Sequence, residues 1–339
     1  MTTENRIAWV DTAKGICILL VVMMHSTLGV EKYSGMESWL HGFIEWARPF
    51  RMPDFFLISG LFLARRIDRP WRAYLDSKVV HFAYFYVLWM TLQFALKSGD
   101  VMGEGLVPMI AAYLEGFVNP TSTLWFIYLL AVFFVAAKLL RSVPWQVVFM
   151  SAAVLEMLPI ETGYVVVDEF AARFVYFYAG FLFADRVFAL ADRLAARPSA
   201  EIGIALAAWG VVNALAVASG VAFMPGLGLG FGFAGAAAVI AVSVLLSQSP
   251  IGAPLRHCGS RSIVIYLAFF LFMAGSRTVL MKLDVIGDAA LLSLAVTAAG
   301  VIGPLVLFAM VRGGPLAFLF ARPACFRLVP HRQQDLATA

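Results

Sequence analysis

Lys14-Gly-Ile-Cys-Ile-Leu-Leu-Val-Val-Met-Met-His25 holds a cation and an imidazole apart with nothing but apolar and small residues between them. On a helix, eleven steps of about 100° return a side chain to within about 20° of its starting direction, roughly 16 Å further along the axis. A run of this kind belongs inside a bilayer. Lys14 then stands at one membrane surface and His25 about halfway across, and both look into the same interior. An ionisable group at that depth points to function. The other reading is a histidine hydrogen-bonded within packing. The run continues as His-Ser-Thr-Leu-Gly, without a clear small-x-small cleavage site, so it is expected to be a retained helix and not a secretory leader.

The rest of the chain agrees with a membrane setting. Of 339 residues, 62% are hydrophobic and 14% charged, and the mean hydropathy is +0.86. Soluble domains do not reach such values. Between Glu201 and Arg256 there is no acidic or basic residue. The net charge of +4 could suit nucleic acid, but in a membrane protein an excess of Lys and Arg marks cytoplasmic loops, and no nucleic-acid partner is expected. Cys17, Cys258 and Cys325 show no disulfide framework or metal-ligand spacing, and no metal site is expected.

A hydrocarbon core of about 30 Å takes roughly 20 helical residues. The sequence predicts an all-α bundle with ten spans: 14–31, 43–64, 79–96, 122–139, 144–160, 173–190, 202–220, 228–247, 261–280 and 289–311. The second is the least regular, because Glu45, Arg48, Arg51 and Asp54 occupy its first half. Residues 104–118 read as an interfacial helix. With the N-terminus inside, only Lys32, Arg48, Arg51, Lys97, Arg173, Arg277 and Lys282 of the 25 Lys and Arg fall outside. That bias places both termini in the cytoplasm. Residues 1–320 are then one ten-helix domain, and 321–339 a short cytoplasmic tail.

Polar groups are few enough to weigh singly. The inner loop Ala64-Arg-Arg-Ile-Asp-Arg-Pro-Trp-Arg-Ala-Tyr-Leu-Asp-Ser-Lys78 carries Arg65, Arg66, Arg69, Arg72 and Lys78. Such a cluster suits a phosphate-rich ligand, or equally anionic lipid headgroups at an ordinary positive-inside loop. His81 could touch a ligand phosphate or reach the interface. An imidazole such as His25 can accept a hydroxyl proton and return it to a leaving group. Asp54 comes in from the outer side at a depth that lets it fix the tautomer of His25; the alternative is an interfacial pair with Arg51. Trp125 suits either the aromatic belt or the lining of an acceptor site. Ser59-Gly60 suits close helix packing. Glu156, Asn213 and Tyr266 suggest no specific role.

Taken together, the motifs resemble the integral-membrane acyltransferase family 3. Lys14 through His25 looks like its first-span motif, Met52-Pro-Asp-Phe-Phe-Leu-Ile-Ser-Gly60 like its second-span motif, and Leu124-Trp-Phe like its fourth-span motif. Phe174 to Gly180 and Gly259 to Tyr266 match weaker landmarks. The resemblance implies transfer of an acyl group, often acetyl, from cytoplasmic acyl-CoA to a hydroxyl on a glycan or lipid at the outer face of a bacterial inner membrane. His25 maps onto the family's catalytic histidine and Lys14 onto its basic partner. The family's Arg-x-x-Arg motif falls on Lys78-x-x-His81, Asp54 stands where the family usually has an apolar residue, and Phe269 replaces a frequent histidine. The pantetheine arm of such a donor, about 15–20 Å long, matches the Lys14–His25 separation. Lys14, Arg65, Arg66, Arg69, Arg72, Lys78 and His81 are the expected donor-binding residues. His25 and Asp54 are the expected catalytic pair, and Trp125 and Arg48 the expected acceptor contacts. A proton-coupled transporter or a lipid or glycolipid flippase, with His25 in a proton relay, is the competing class; it would be expected to show repeated halves with broken helices, and none is evident.

Overall fold

The computed structural model describes residues 7–97, 105–120 and 123–329, and these are helical with no strand among them. The helices are α1 (Ala8–Ser34), α2 (Leu40–Gly60), α3 (Trp71–Leu75), α4 (His81–Lys97), α5 (Leu106–Val118), α6 (Trp125–Leu139) and α7 (Trp145–Met157). They continue with α8 (Val165–Leu182), α9 (Ala184–Ala195), α10 (Ser199–Ala218), α11 (Leu227–Ser247), α12 (Ala253–Ser260), α13 (Ser262–Leu283) and α14 (Ala289–Val311). Helix α1 runs through the middle of the bundle, touching α2, α11, α12, α13 and α14.

Every predicted span falls on a helix, but not every helix is a plain span. Seven are long and apolar enough to cross a membrane, or eight if a bent pair counts as one. The bent pair is α8 and α9, which meet at 74° around Phe183. The single span predicted at 173–190 therefore divides. Helix α8 starts earlier, at Val165, whereas α9 carries Asp185, Arg186, Asp192 and Arg193 and turns away. A helix with that many charges is amphipathic and suits an interface better than a hydrocarbon core. Helix α7 has 13 residues, about 20 Å of rise, less than a bilayer core. Helix α2 is long enough, but its four charged residues and Pro49 and Pro53 set it apart. Helix α5 is short and apolar, as the interfacial reading expects.

Local chemistry explains the breaks. Helix α1 ends at Gly35, whose positive φ of 70° lets its N–H close on the Glu31 carbonyl. The Glu31 carboxylate then accepts from the Ser38 amide at 2.9 Å, the Ser38 hydroxyl at 3.0 Å and the His41 ring at 2.8 Å, fixing the turn into α2. Asp288 caps α14 by accepting from the Leu291 amide at 2.7 Å. The basic loop is only half a loop: from Trp71 it is helical, and a π-turn at Asp76–Val80 joins α3 to α4.

The second-span motif works as a packing device. Phe55 and Phe56 stack on Phe126 of α6 with ring centres 4.5 and 4.7 Å apart. Phe56 also meets Phe133 at 5.0 Å, and Phe133 meets Phe177 of α8 at 5.4 Å. Gly60 closes the seam: a Cβ there would collide with the Phe177 carbonyl, as one on Gly180 would with the Leu57 carbonyl. Two glycines facing each other bring the α2 and α8 backbones into contact. Gly60→Leu or Gly180→Leu is expected to destabilise the purified protein by about 1–3 kcal/mol or more, read as a lowered thermal midpoint. Gly42→Ala on the same helix meets open space and should leave the midpoint unchanged.

Candidate functional site

The Lys14 end of α1 opens on a cavity of about 110 Å³. Phe55, Ser59, Phe82, Phe126 and Tyr266 are among its walls, so α2, α4, α6 and α13 all contribute. The Lys14 ammonium lies 5.6 Å from the centre of the Phe62 ring. Ser59 faces the cavity, but its hydroxyl donates to the Phe55 carbonyl at 2.7 Å, in keeping with packing. Tyr266 is likewise tied, donating to the Thr123 carbonyl.

Around this mouth the fold gathers like charges. Arg66, Lys14 and Arg69 all lie near enough to act on Lys78. The Lys78 ammonium sits 4.2 Å over the Phe134 ring. Partial desolvation and then the charge of Arg69 hold Arg66 below the usual guanidinium range. None of Arg66, Arg69 and Lys78 has an ion-pair partner among the described residues. Cations held together without counter-charges form a site for an anion. Arg65 and Arg72 are exposed, as Arg66 is, but are not among the charges acting on Lys78, and their side chains make no hydrogen bond or ion pair among the described residues.

Three supports of this cluster were not legible in the sequence. Lys138 reads as a marker of the inner side, yet it is 1% exposed and donates to the carbonyls of Ile67 at 2.6 Å and Arg69 at 2.7 Å. It also lies over Tyr74 at 4.5 Å and Trp71 at 5.0 Å. It holds the loop that presents Arg66 and Arg69. The other two are Asp76 and Arg322. The buried Asp76 carboxylate pairs with Arg322 at 2.9 Å and accepts from the Leu328 amide at 2.6 Å. Residues 321–329 are thereby docked on the bundle, and residues 330–339 of the predicted tail lie outside the described residues. His81, packed edge-on to Phe85 at 5.1 Å, lies within electrostatic range of Arg322, Lys78, Asp76 and Arg327.

Further along α1, His25 packs against Phe269 of α13, with ring centres 5.5 Å apart. Phe269 is the residue that the family resemblance replaces for a histidine. The His25 ring makes no hydrogen bond among the described residues. The carboxylate expected to orient it does not do so. Asp54 is 1% exposed, and neither of its oxygens has a hydrogen-bond partner among the described residues. It faces the neighbourhood of Cys17 and Tyr176, and it is not paired with Arg51 either. The charge that acts on His25 is that of Arg51. Trp125 is partly buried against Phe56 at 6.1 Å. Arg48 is paired with Glu45 at 3.1 Å and lines a separate cleft with Arg173 and Tyr176. Asn213 ties α10 to α2 by donating to the Trp46 carbonyl at 2.8 Å, and Glu156 accepts from Tyr176 at 3.1 Å.

Fold and site together define a polytopic helical membrane protein whose central helix joins a cation-ringed mouth to a deep histidine. A family model described as an acyltransferase domain matches residues 7–309, and the chain belongs to that family, acyltransferase family 3. It is 31% identical over 157 residues to the inner membrane protein YcfT of Escherichia coli (strain K12), a match covering 39% of this chain and 43% of that protein. The chain thus aligns with under half the length of that relative. No solved structure matches.

Lys138→Met would leave the Ile67 and Arg69 carbonyls without a donor at the cost of about 1–3 kcal/mol each. The purified protein should lose thermal stability accordingly. Arg141→Ala removes only an exposed 3.8 Å contact with Asp68 and should not.

Proposed function

We propose that the chain is a membrane-embedded O-acyltransferase of the bacterial inner membrane. It takes an acyl group, acetyl in the simplest case, from cytoplasmic acyl-CoA and delivers it to a hydroxyl of an extracytoplasmic glycan or glycolipid. In this reading the chain crosses the bilayer ten times, with both termini in the cytoplasm. The observation that carries it is the placement of Lys14 and His25 on one helix, with Arg66, Arg69 and Lys78 gathered at the lysine end.

The phosphates of the donor bind the cations at the mouth, where charge-assisted hydrogen bonds replace their water. The pantetheine arm runs along α1 and brings the thioester to His25. The histidine takes the proton of the acceptor hydroxyl as its oxygen attacks the thioester carbonyl carbon. The C–S bond breaks, the new ester leaves, and the proton passes to the departing thiolate. No net proton is consumed. With no hydrogen bond on the ring of His25 among the described residues, the acceptor itself supplies the contact that orients the base. Family membership disfavours a transporter or flippase.

Radiolabelled acetyl-CoA and a mixed glycolipid extract test the assignment. Wild type should label the extract, and His25→Ala should lower the rate by about 10²–10⁴-fold; full turnover by that variant would remove the histidine from the chemistry. Lys78→Ala, or Arg66→Ala with Arg69→Ala, should weaken CoA binding by about ten- to a hundredfold, from a charged hydrogen bond of about 1.5–3 kcal/mol. Arg65→Ala and Arg72→Ala should bind CoA as wild type does in the same calorimetric titration.

A further inference from the structure

Arg51 stands out as a buried charge with no ion-pair partner among the described residues. It is 8% exposed, its Nε has no acceptor, and its one hydrogen bond runs from Nη1 back along α2 to the Ile44 carbonyl at 3.2 Å. No carboxylate lies within ion-pair distance of it among the described residues. The neighbouring arginines differ: Arg48 is paired with Glu45 at 3.1 Å and Arg173 with Glu169 at 3.1 Å. A guanidinium removed from water and left without a close counter-charge is strongly unfavourable. A neutral ligand could satisfy Nε but would leave the charge uncompensated.

Its surroundings show what this charge can act on. Arg51 is close enough to Glu45, Arg173 and Arg48 to interact with them electrostatically, and its own charge acts on His25. Arg48 and Arg173 open on a cleft of about 310 Å³, closed by Glu156 and Tyr176 and by the Ala222–Gly228 turn. Arg51 is thus within electrostatic reach both of the two cleft arginines and of the histidine.

We propose that Arg51 binds an anionic group, a carboxylate or a phosphate, carried by the acyl acceptor, which enters through the Arg48–Arg173 cleft. The anion on Arg51 sets a neighbouring hydroxyl against His25. The placement of the hydroxyl rests on the acyltransferase reading; the anion site itself does not.

The test uses the full chain in an uncharged maltoside detergent, with no acyl donor present. Glycerol 3-phosphate and glucuronate are titrated against glycerol and glucose, and thermal stabilisation is read. One or both anions should stabilise the protein, and the neutral compounds should not; which anion acts separates phosphate from carboxylate. Arg51→Gln should weaken anion binding at least tenfold, and Arg51→Lys should restore part of it. CoA affinity, measured alongside, should be unchanged in Arg51→Gln and shows that the variant is folded. Should Arg51→Gln fail to fold, Arg48→Gln on the cleft wall should still weaken the anions several-fold. Equal stabilisation by neutral compounds, or wild-type anion affinity in Arg51→Gln, overturns the proposal. So does a loss of acetyl transfer with anion affinity intact, which would move Arg51 to the thioester carbonyl. Anion binding that persists when the wild-type protein transfers no acetyl group would sink the enzymatic reading and leave the anion site standing.

Discussion

A charge inside a bilayer has to find its partners within the protein, because hydrocarbon offers none. Helix α1 is built around that constraint. Its flanks are surrounded by five other helices, so Lys14 and His25 turn into protein and not lipid. The crowding is possible because small residues face each other where backbones meet. Gly15 lies against the Leu255 backbone and Gly259 against the Asp11 carbonyl. Without those approaches α12 could not seat beside α1, and the interior that both ionisable groups share would be wider and wetter.

The cationic mouth shows how such a cluster is kept in place without being neutralised. Lys138 spends its hydrogen bonds on backbone carbonyls, not on carboxylates. The buried Asp76 is satisfied by Arg322 and the Leu328 amide. Arg66, Arg69 and Lys78 are therefore positioned by neighbours that leave their charge unbalanced. A scaffold that spends its acids on structure keeps its bases for a ligand.

Much of this was legible in the residues. Apolar runs located the helices, because burial in lipid demands length and composition together. The Lys14–His25 spacing and the Phe55-Phe56 motif could be read as one-helix patterns, and both act in the bundle. What escaped were the relations between distant parts of the chain. The bend at Phe183 has no proline to announce it; only the charges of α9 hint at it. Asp54 is expected at the depth of His25, but the carboxylate lies near Cys17, about two turns along α1. The bundle instead brings the charge of Arg51 to bear on the histidine. Arg322, 246 positions from Asp76, could not be paired with it from spacing.

That last distance carries a consequence for biogenesis. A nascent chain emerges from the ribosome and enters the membrane in order. The π-turn bearing Asp76 is made while Arg322 is still untranslated, so the acid gains this arginine only after 246 further residues. The segment around Asp76 takes its final form only when the returning stretch that carries Arg322 docks on it, long after the helices between them have been made.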